Sequence, residues 1–398
     1  MYHIKQGINQ ETIQEINRAL LLKHLRKEGV CSRVHLSNLT GLKQATVTNI
    51  MKDFIEWGLV KEVGFLSGNK GRRSIGIEVE SDLFRVIGVR LARKHYSIGL
   101  FDLNGKCVKE VRVEINSLES NQPICIINGM IETILKVINE NSENKILAIG
   151  VAVPGPFIRK KNRIGLITET QGWNGIDIQK RLQSAISLPM YLEHDANVGA
   201  FAYMWDLKEN YKDETLVYFA AGQGVGAGIV MDGEIYQGAI GTAGEIGHMT
   251  IDYEGPKCAC GNYGCLEKYT SSIEYTKAVN SIIKKQYTFK EVIELYRQGN
   301  EVCREQYRKA CRMMGYGIIN LINLYNPNII IIGDEMMKVD ADVMYENICN
   351  TVKERVLPEI WNDVSIRKSE YNGDAMLHGA AMVAISEIFN HPEQFTTK

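Results

Sequence analysis

Apolar residues near the start of the chain repeat at helical spacing. Ile16, Leu20, Leu21, His24 and Leu25 share one face, and Asn17, Arg18, Lys23, Arg26 and Lys27 take the other. Gly29 stops this helix, Ser32 is a good N-cap for a short second helix through position 39, and Thr40-Gly41 turns into a third. That third helix carries Val47, Ile50, Met51, Phe54 and Ile55 inward. Two helices joined by a short Gly-containing turn predict a helix-turn-helix. From position 59 the period changes from helical to strand-like. Residues 59–65 and 74–79 read as two strands joined by the turn Ser67-Gly68-Asn69-Lys70-Gly71, a hairpin that would form a wing.

Beyond Glu80-Ser81 short strands alternate with Gly turns. Strands are expected over 86–91, 96–102 and 107–113, with Asn104-Gly105 as the last turn, and a related order recurs over 216–221 and 224–231 before Asp232-Gly233. Two such copies predict a duplicated α/β unit enclosing a cleft. Between them lie an amphipathic helix at 123–139, a buried strand at 146–153 ending in Pro154-Gly155-Pro156, a loop at 172–175, and a short strand at 190–193. The last of these runs into His194-Asp195-Ala196-Asn197, and an acid just past a strand end in an α/β fold is where ligands gather. The C-terminal third reads as helices at 287–296, 302–325 and 374–389, with a strand at 329–332. The expected division is a winged helix-turn-helix over 1–80, a first α/β subdomain over 81–195 completed by 374–398, and a second over 196–373 with a surface for oligomerisation.

Composition adds a direction to this picture. The 398 residues are 45% hydrophobic, ample for two or three cores, and the net charge of −1 hides an asymmetry. Through Val79 there are twelve Lys or Arg against seven acids, which leaves the head at +5 and the rest at −6. A basic head on an acidic body points to a polyanion at one end only. Double-stranded DNA would meet Arg33, Lys43, Gln44, Thr46, Thr48 and Asn49 on the helical part, and Lys70, Arg72 and Arg73 at the wing tip. With neither an apolar leader nor a run of eighteen apolar residues in view, the expectation is a cytoplasmic protein without a membrane span. Nine cysteines, an odd number, fit reduced thiols plus one metal site better than a disulfide framework.

The candidate chemistry is concentrated between Gly241 and Glu267. Cys258, Cys260 and Cys265 crowd three sulfur ligands into one Gly-punctuated loop, and His248 lies ten residues upstream of the first. Three thiolates and one imidazole complete a tetrahedral zinc shell with no position left for an activated water, so a structural Zn2+ is expected. The alternative is a loop whose cysteines are merely buried or paired as disulfides.

Glu-Ile-Gly-His at 245–248, followed by Cys-Ala-Cys-Gly-Asn-Tyr-Gly-Cys-Leu-Glu at 258–267, resembles the signature of the ROK family of repressors, open reading frames and sugar kinases. The run Gly-His-Met-Thr-Ile-Asp with Gly-Pro-Lys-Cys looks most like the xylose-repressor group. This resemblance implies an actin-like, hexokinase-like (ribonuclease H-like) body and a sugar site formed by Asn174, His194, Asp195, Glu245, His248 and Glu267. Kinases of the family carry Asp-x-Gly-Gly-Thr in the first hairpin, where this chain has Arg90, Ala92, Arg93 and Lys94. Gln223 replaces a Thr in the second copy, Gly333-Asp334-Glu335 replaces paired glycines, and His194 replaces an Asn. The departures at the nucleotide site predict a non-enzyme: a repressor of carbohydrate-utilisation genes, a homodimer or dimer of dimers, released from operator DNA by a monosaccharide such as xylose. An ATP-dependent sugar kinase is the competing class, and a sugar-binding scaffold acting through proteins is a third.

Overall fold

The computed structural model describes residues 9–66, 74–115, 121–159, 163–164, 172–206, 214–371 and 374–396. The head contains α1 (Gln10–Glu28), β1 (Cys31–Ser32), α2 (Arg33–Thr40), α3 (Gln44–Glu56), β2 (Val60–Leu66) and β3 (Ser74–Val79). Helices α1 and α2 start at side-chain caps and end at glycines. Asn9 accepts from the Thr12 amide, Ser32 accepts from the His35 amide, and Gly29 and Gly41 end α1 and α2 at φ 69° and 71°. The short β1 has no counterpart in the periodicity, because only two residues pair, Cys31 with Ile77 and Ser32 with Gly76.

The first lobe runs through β4 (Phe84–Leu91), β5 (His95–Phe101), β6 (Cys107–Glu114), α4 (Pro123–Glu140), β7 (Lys145–Val153), β8 (Phe157–Ile158), β9 (Arg163–Ile164), α5 (Ile178–Gln183) and β10 (Met190–His194). The second holds α6 (Asp195–Asp206), β11 (Thr215–Ala221), β12 (Val225–Met231), β13 (Glu234–Ile235), α7 (Glu267–Thr270), α8 (Ser272–Ile283), α9 (Phe289–Arg297) and α10 (Glu301–Tyr325). It continues with β14 (Ile329–Gly333), α11 (Ala341–Lys353), α12 (Pro358–Asp363) and β15 (Ser365–Lys368), before α13 (Ala375–Asn390) and α14 (Glu393–Thr396) close the chain.

The two main sheets repeat one plan. Their orders are β10-β7-β4-β5-β6 and β13-β12-β11-β14-β15, and in each the first strand of the unit pairs antiparallel with its hairpin partner and parallel with a later strand. The loop expected at 172–175 instead contains a 3-10 turn, Trp173–Gly175, closed over the buried Trp173. Helices α6 and α13 lie between the sheets and approach closely, since a Cβ on Gly379 would collide with the Val198 carbonyl. On its other side α13 joins the head: Leu21, Leu22 and Leu25 of α1 share one buried cluster with Met382, Ile385 and Phe389 of α13 and with Val86 and Leu147 of the first sheet. Among the described residues no helix is long and apolar enough to cross a membrane.

Candidate functional site

Strand β10 ends at His194 and helix α6 begins at Asp195, so the change of element sets both side chains at the mouth of the cleft between the sheets. A cavity of about 450 Å³ lies there, and His194, Asp195, Glu245, His248 and Glu267 all line it. Asn174 belongs to the Trp173–Gly175 turn, and its side chain lies outside the described residues.

His194 is buried, with Nε2 3.2 Å from Asp195 Oδ1 and 3.9 Å from Glu245 Oε1. Asp195 Oδ1 also accepts from the Ala196 amide at 2.7 Å, so it serves the start of α6 while facing the cavity. Glu245 Oε1 is buried with no hydrogen-bond partner among the described residues, and burial pushes its carboxyl above the usual range while His194 and His248 pull the other way. An unpartnered buried acceptor of this kind favours a ligand that donates. Glu267 is already engaged, its Oε2 accepting from the Val225 amide at 3.0 Å and from Arg93 Nη2 at 3.2 Å.

Glu193, which the sequence pattern did not single out, holds these parts in register. Its carboxylate accepts from the His194 amide at 2.9 Å, Asn197 Nδ2 at 3.0 Å and Gln237 Nε2 at 3.1 Å, and pairs with Arg159. Its only sequence signal is an acid among the apolar residues of a buried strand.

Two arginines bridge the lobes on the other side of the cavity. Arg90 on β4 donates to Asp374, the N-cap of α13, at 2.7 Å and to Asp334 after β14 at 3.4 Å. Burial works against its charge, but Asp374, Asp334 and Asp195 together hold it protonated. Burial raises the Asp334 carboxyl and Arg90 opposes that shift, whereas Arg90 keeps the buried Asp374 below the ordinary carboxylate range. Arg93 donates to the Gln223 carbonyl at 2.9 Å as well as to Glu267. A Cβ on Gly222 would strike the Asp334 carboxylate, and one on Gly224 would sit 2.5 Å from Arg93 Nη2. The surface over both glycines is therefore covered by side chains.

Behind the cavity, His248, Cys258, Cys260 and Cys265 bring four donor atoms within 4.8 Å of one another, spaced to hold one metal ion. Cys258 Sγ lies 3.7 Å from His248 Nδ1, and Cys260 Sγ lies 3.7 Å from Cys265 Sγ, too far for a disulfide. Short bridges between Thr250 and Cys265 and between Lys257 and Tyr263 fold the loop back on itself and return the histidine to the sulfurs. Since His248 also lines the cavity, one ring joins the quartet to the cleft.

In the head, Lys43, Gln44, Thr48 and Asn49 are exposed along the N-terminal half of α3, and Thr46 is half-buried. Arg33 is half-buried and donates to Glu62 on β2 at 2.8 Å. Lys70, Arg72 and Arg73, expected at the wing tip, lie outside the described residues.

A sequence model of the ROK family matches residues 86–387. The chain is 29% identical over 399 residues to the xylose repressor of Caldicellulosiruptor bescii, covering 97% of this chain and 99% of that one. In structure it is similar to a ROK family transcriptional regulator that is a homologue of the E. coli MLC protein, with a TM-score of 0.78, 24% identity, and coverage of 95% of this chain and 97% of that one. A ROK hexokinase from Thermus thermophilus gives a TM-score of 0.63 at 24% identity, but covers 76% of this chain while 99% of the hexokinase is matched.

Proposed function

The chain belongs to the ROK family, and on that premise we propose that it is a sugar-responsive transcriptional repressor whose kinase-like body senses a monosaccharide and whose head binds operator DNA. The observation that carries this reading is the extent of the likeness: it runs through the head for the repressor and the regulator, and covers about three-quarters of the chain for the hexokinase. In the head, α2, α3 and the β2–β3 hairpin act as a winged helix-turn-helix, with Lys43, Gln44, Thr46, Thr48 and Asn49 toward base edges. Each good bidentate base contact contributes about 1–3 kcal/mol of discrimination. The active form is a homodimer or dimer of dimers, which pairs with a palindromic operator through a shared two-fold axis.

The sugar donates its hydroxyls to Asp195, Glu245 and Glu267, with His194 and His248 completing the site. Zinc fits the quartet behind it, because tetrahedral metal–sulfur bonds of about 2.3 Å imply sulfur–sulfur edges of about 3.8 Å, close to the 3.7 Å between Cys260 and Cys265. When bound there it would hold the loop and fix His248. Phosphoryl transfer is not part of this reading, since Arg93 and Asp334 cover the glycines that would face ATP phosphates.

The test is operator retention at physiological salt with and without D-xylose. Wild type should be released, and Glu245→Gln should hold the sugar-free operator equally well while needing roughly 10- to 100-fold more sugar, as expected for loss of a charged hydrogen bond. Full sugar sensitivity in Glu245→Gln, or ATP consumption dependent on sugar, would overturn the assignment.

A further inference from the structure

The cavity is longer than the cluster around Asp195. Arg90, on which Asp195 acts, in turn acts on His95 together with Arg112 and Lys338, and these residues line the cavity with Glu110 beyond the Asp195 cluster. At about 450 Å³ it lies in the range of about 300–1,000 Å³ that whole small-molecule sites occupy. His95 is the first residue of β5, 5% exposed, and among the described residues neither of its ring nitrogens has a hydrogen-bond partner. Burial and the neighbouring cations Arg90, Arg112 and Lys338 outweigh Asp374 and push its proton affinity down to about 3, so the ring is neutral at physiological pH. A neutral imidazole offers one donor and one acceptor, and leaving both unpaired in a buried place is costly.

The surroundings restrict what satisfies it. Arg90 is paired with Asp374 and Asp334, Arg112 is paired with Glu114, and Glu110 lines the cavity with Lys338, so this end offers no excess positive charge to phosphates. The glycine surfaces that would take them are covered by Arg93 and Asp334. An uncharged group with adjacent hydroxyls meets both demands, since one hydroxyl donates to the imidazole and its neighbour accepts.

We propose that His95 is the centre of a second sugar subsite, continuous with the first, so that the cleft takes a disaccharide with one ring at Asp195 and the other at His95. This rests on the reading of the Asp195 end as a sugar site. Calorimetric titration of the full-length protein with matched pairs tests it: D-xylose and xylobiose, D-glucose and cellobiose, N-acetylglucosamine and diacetylchitobiose. In one pair the disaccharide should bind about tenfold tighter than its monosaccharide, the effect of roughly one well-made buried hydrogen bond to a second ring. His95→Ala should erase that gain and leave the monosaccharide affinity within about twofold. His95→Gln, which keeps one donor and one acceptor, should retain part of the gain. A monosaccharide that binds with no gain from the second ring sinks the subsite and spares the sugar reading. Equal weakening of both sugars in His95→Ala marks a structural role and sinks the subsite too, and failure of every sugar to bind removes both.

Discussion

Asp334 stands at φ 78° and ψ −164°, a backbone conformation that almost only glycine adopts and that costs other residues about 1–3 kcal/mol. Its carboxylate explains why it is there: it reaches Arg90 and covers Gly222. The strain predicts an unusual order of variants. Asp334→Gly and Asp334→Ala both lose the pair with Arg90, but only Ala keeps the strained backbone, so Ala should be the less stable by about 1–3 kcal/mol in urea unfolding. An Ala variant as stable as Gly would contradict the conformation. His95 carries a pH signature. Its folded affinity for a proton, about 3, lies below its ordinary 6.5, so its contribution to stability is complete above pH 6.5 and is lost as pH falls toward 3. Arg90, Arg112, Lys338 and Asp374 are the charges facing it. Between about pH 6.5 and pH 5 the wild type should lose up to about 1.4 kcal/mol per pH unit more than His95→Gln does, and identical slopes would remove His95 as the source.

At the scale of elements, what the sequence reveals depends on how far apart the partners lie along the chain. The metal quartet falls within residues 248–265, and the caps at Ser32, Gly29 and Gly41 act on the adjacent turn, so spacing alone exposes them. The paired Gly-turn hairpins are legible for the same reason. Arg90 and Arg93 are visible as departures from a kinase loop, yet their partners are 284, 244 and 174 residues away and only the fold brings them together. Strand β15 escapes because Ser365, Arg367 and Lys368 interrupt any apolar alternation at a sheet edge. Helix α8 escapes because Thr270, Ser271 and Ser272 resemble loop punctuation, while in the fold all three are buried and Ser271 caps the helix. His95 gave no signal, since a single histidine opening a strand is ordinary. The quartet makes its own prediction. Cys260→Ser, or prolonged chelation, should lower stability by several kcal/mol, roughly 10 °C in melting temperature, because a structural metal contributes its binding energy to folding. The sugar response should fail with it, as His248 joins both sites. Purified protein with no stoichiometric zinc would dispose of this.

The whole molecule connects the cleft to the head through two helices. Helix α6 starts at Asp195 in the cavity and α13 is capped there by Asp374, and both lead to Arg26 of α1. Arg26 lies over the Trp205 ring at 4.8 Å, donates to the Trp205 carbonyl at 3.2 Å and the Asn104 carbonyl at 2.9 Å, and reaches Met382 Sδ at 3.9 Å. Helix α1 shares a buried cluster with α13 and the first sheet, and its Arg26 also holds Trp205 of α6, so the head packs against elements of both lobes rather than hanging as a tethered module. A sugar that binds one lobe arrangement better than another therefore shifts the contacts the head makes with the two lobes, and only that difference in affinity can drive release. Typical coupling of about 1–3 kcal/mol corresponds to roughly 5- to 150-fold weaker operator binding. Arg26→Ala removes the contact shared by α6, α13 and the Asn104 turn without touching the cavity. It should leave sugar affinity in the absence of DNA within about threefold of wild type while reducing the sugar-induced loss of operator affinity to less than about fivefold. By reciprocity, saturating operator should also weaken sugar binding less in the variant than in wild type. Anisotropy titrations of labelled operator, with and without sugar, read both quantities; an Arg26→Ala protein released as fully as wild type would mean that the signal reaches the head by another route.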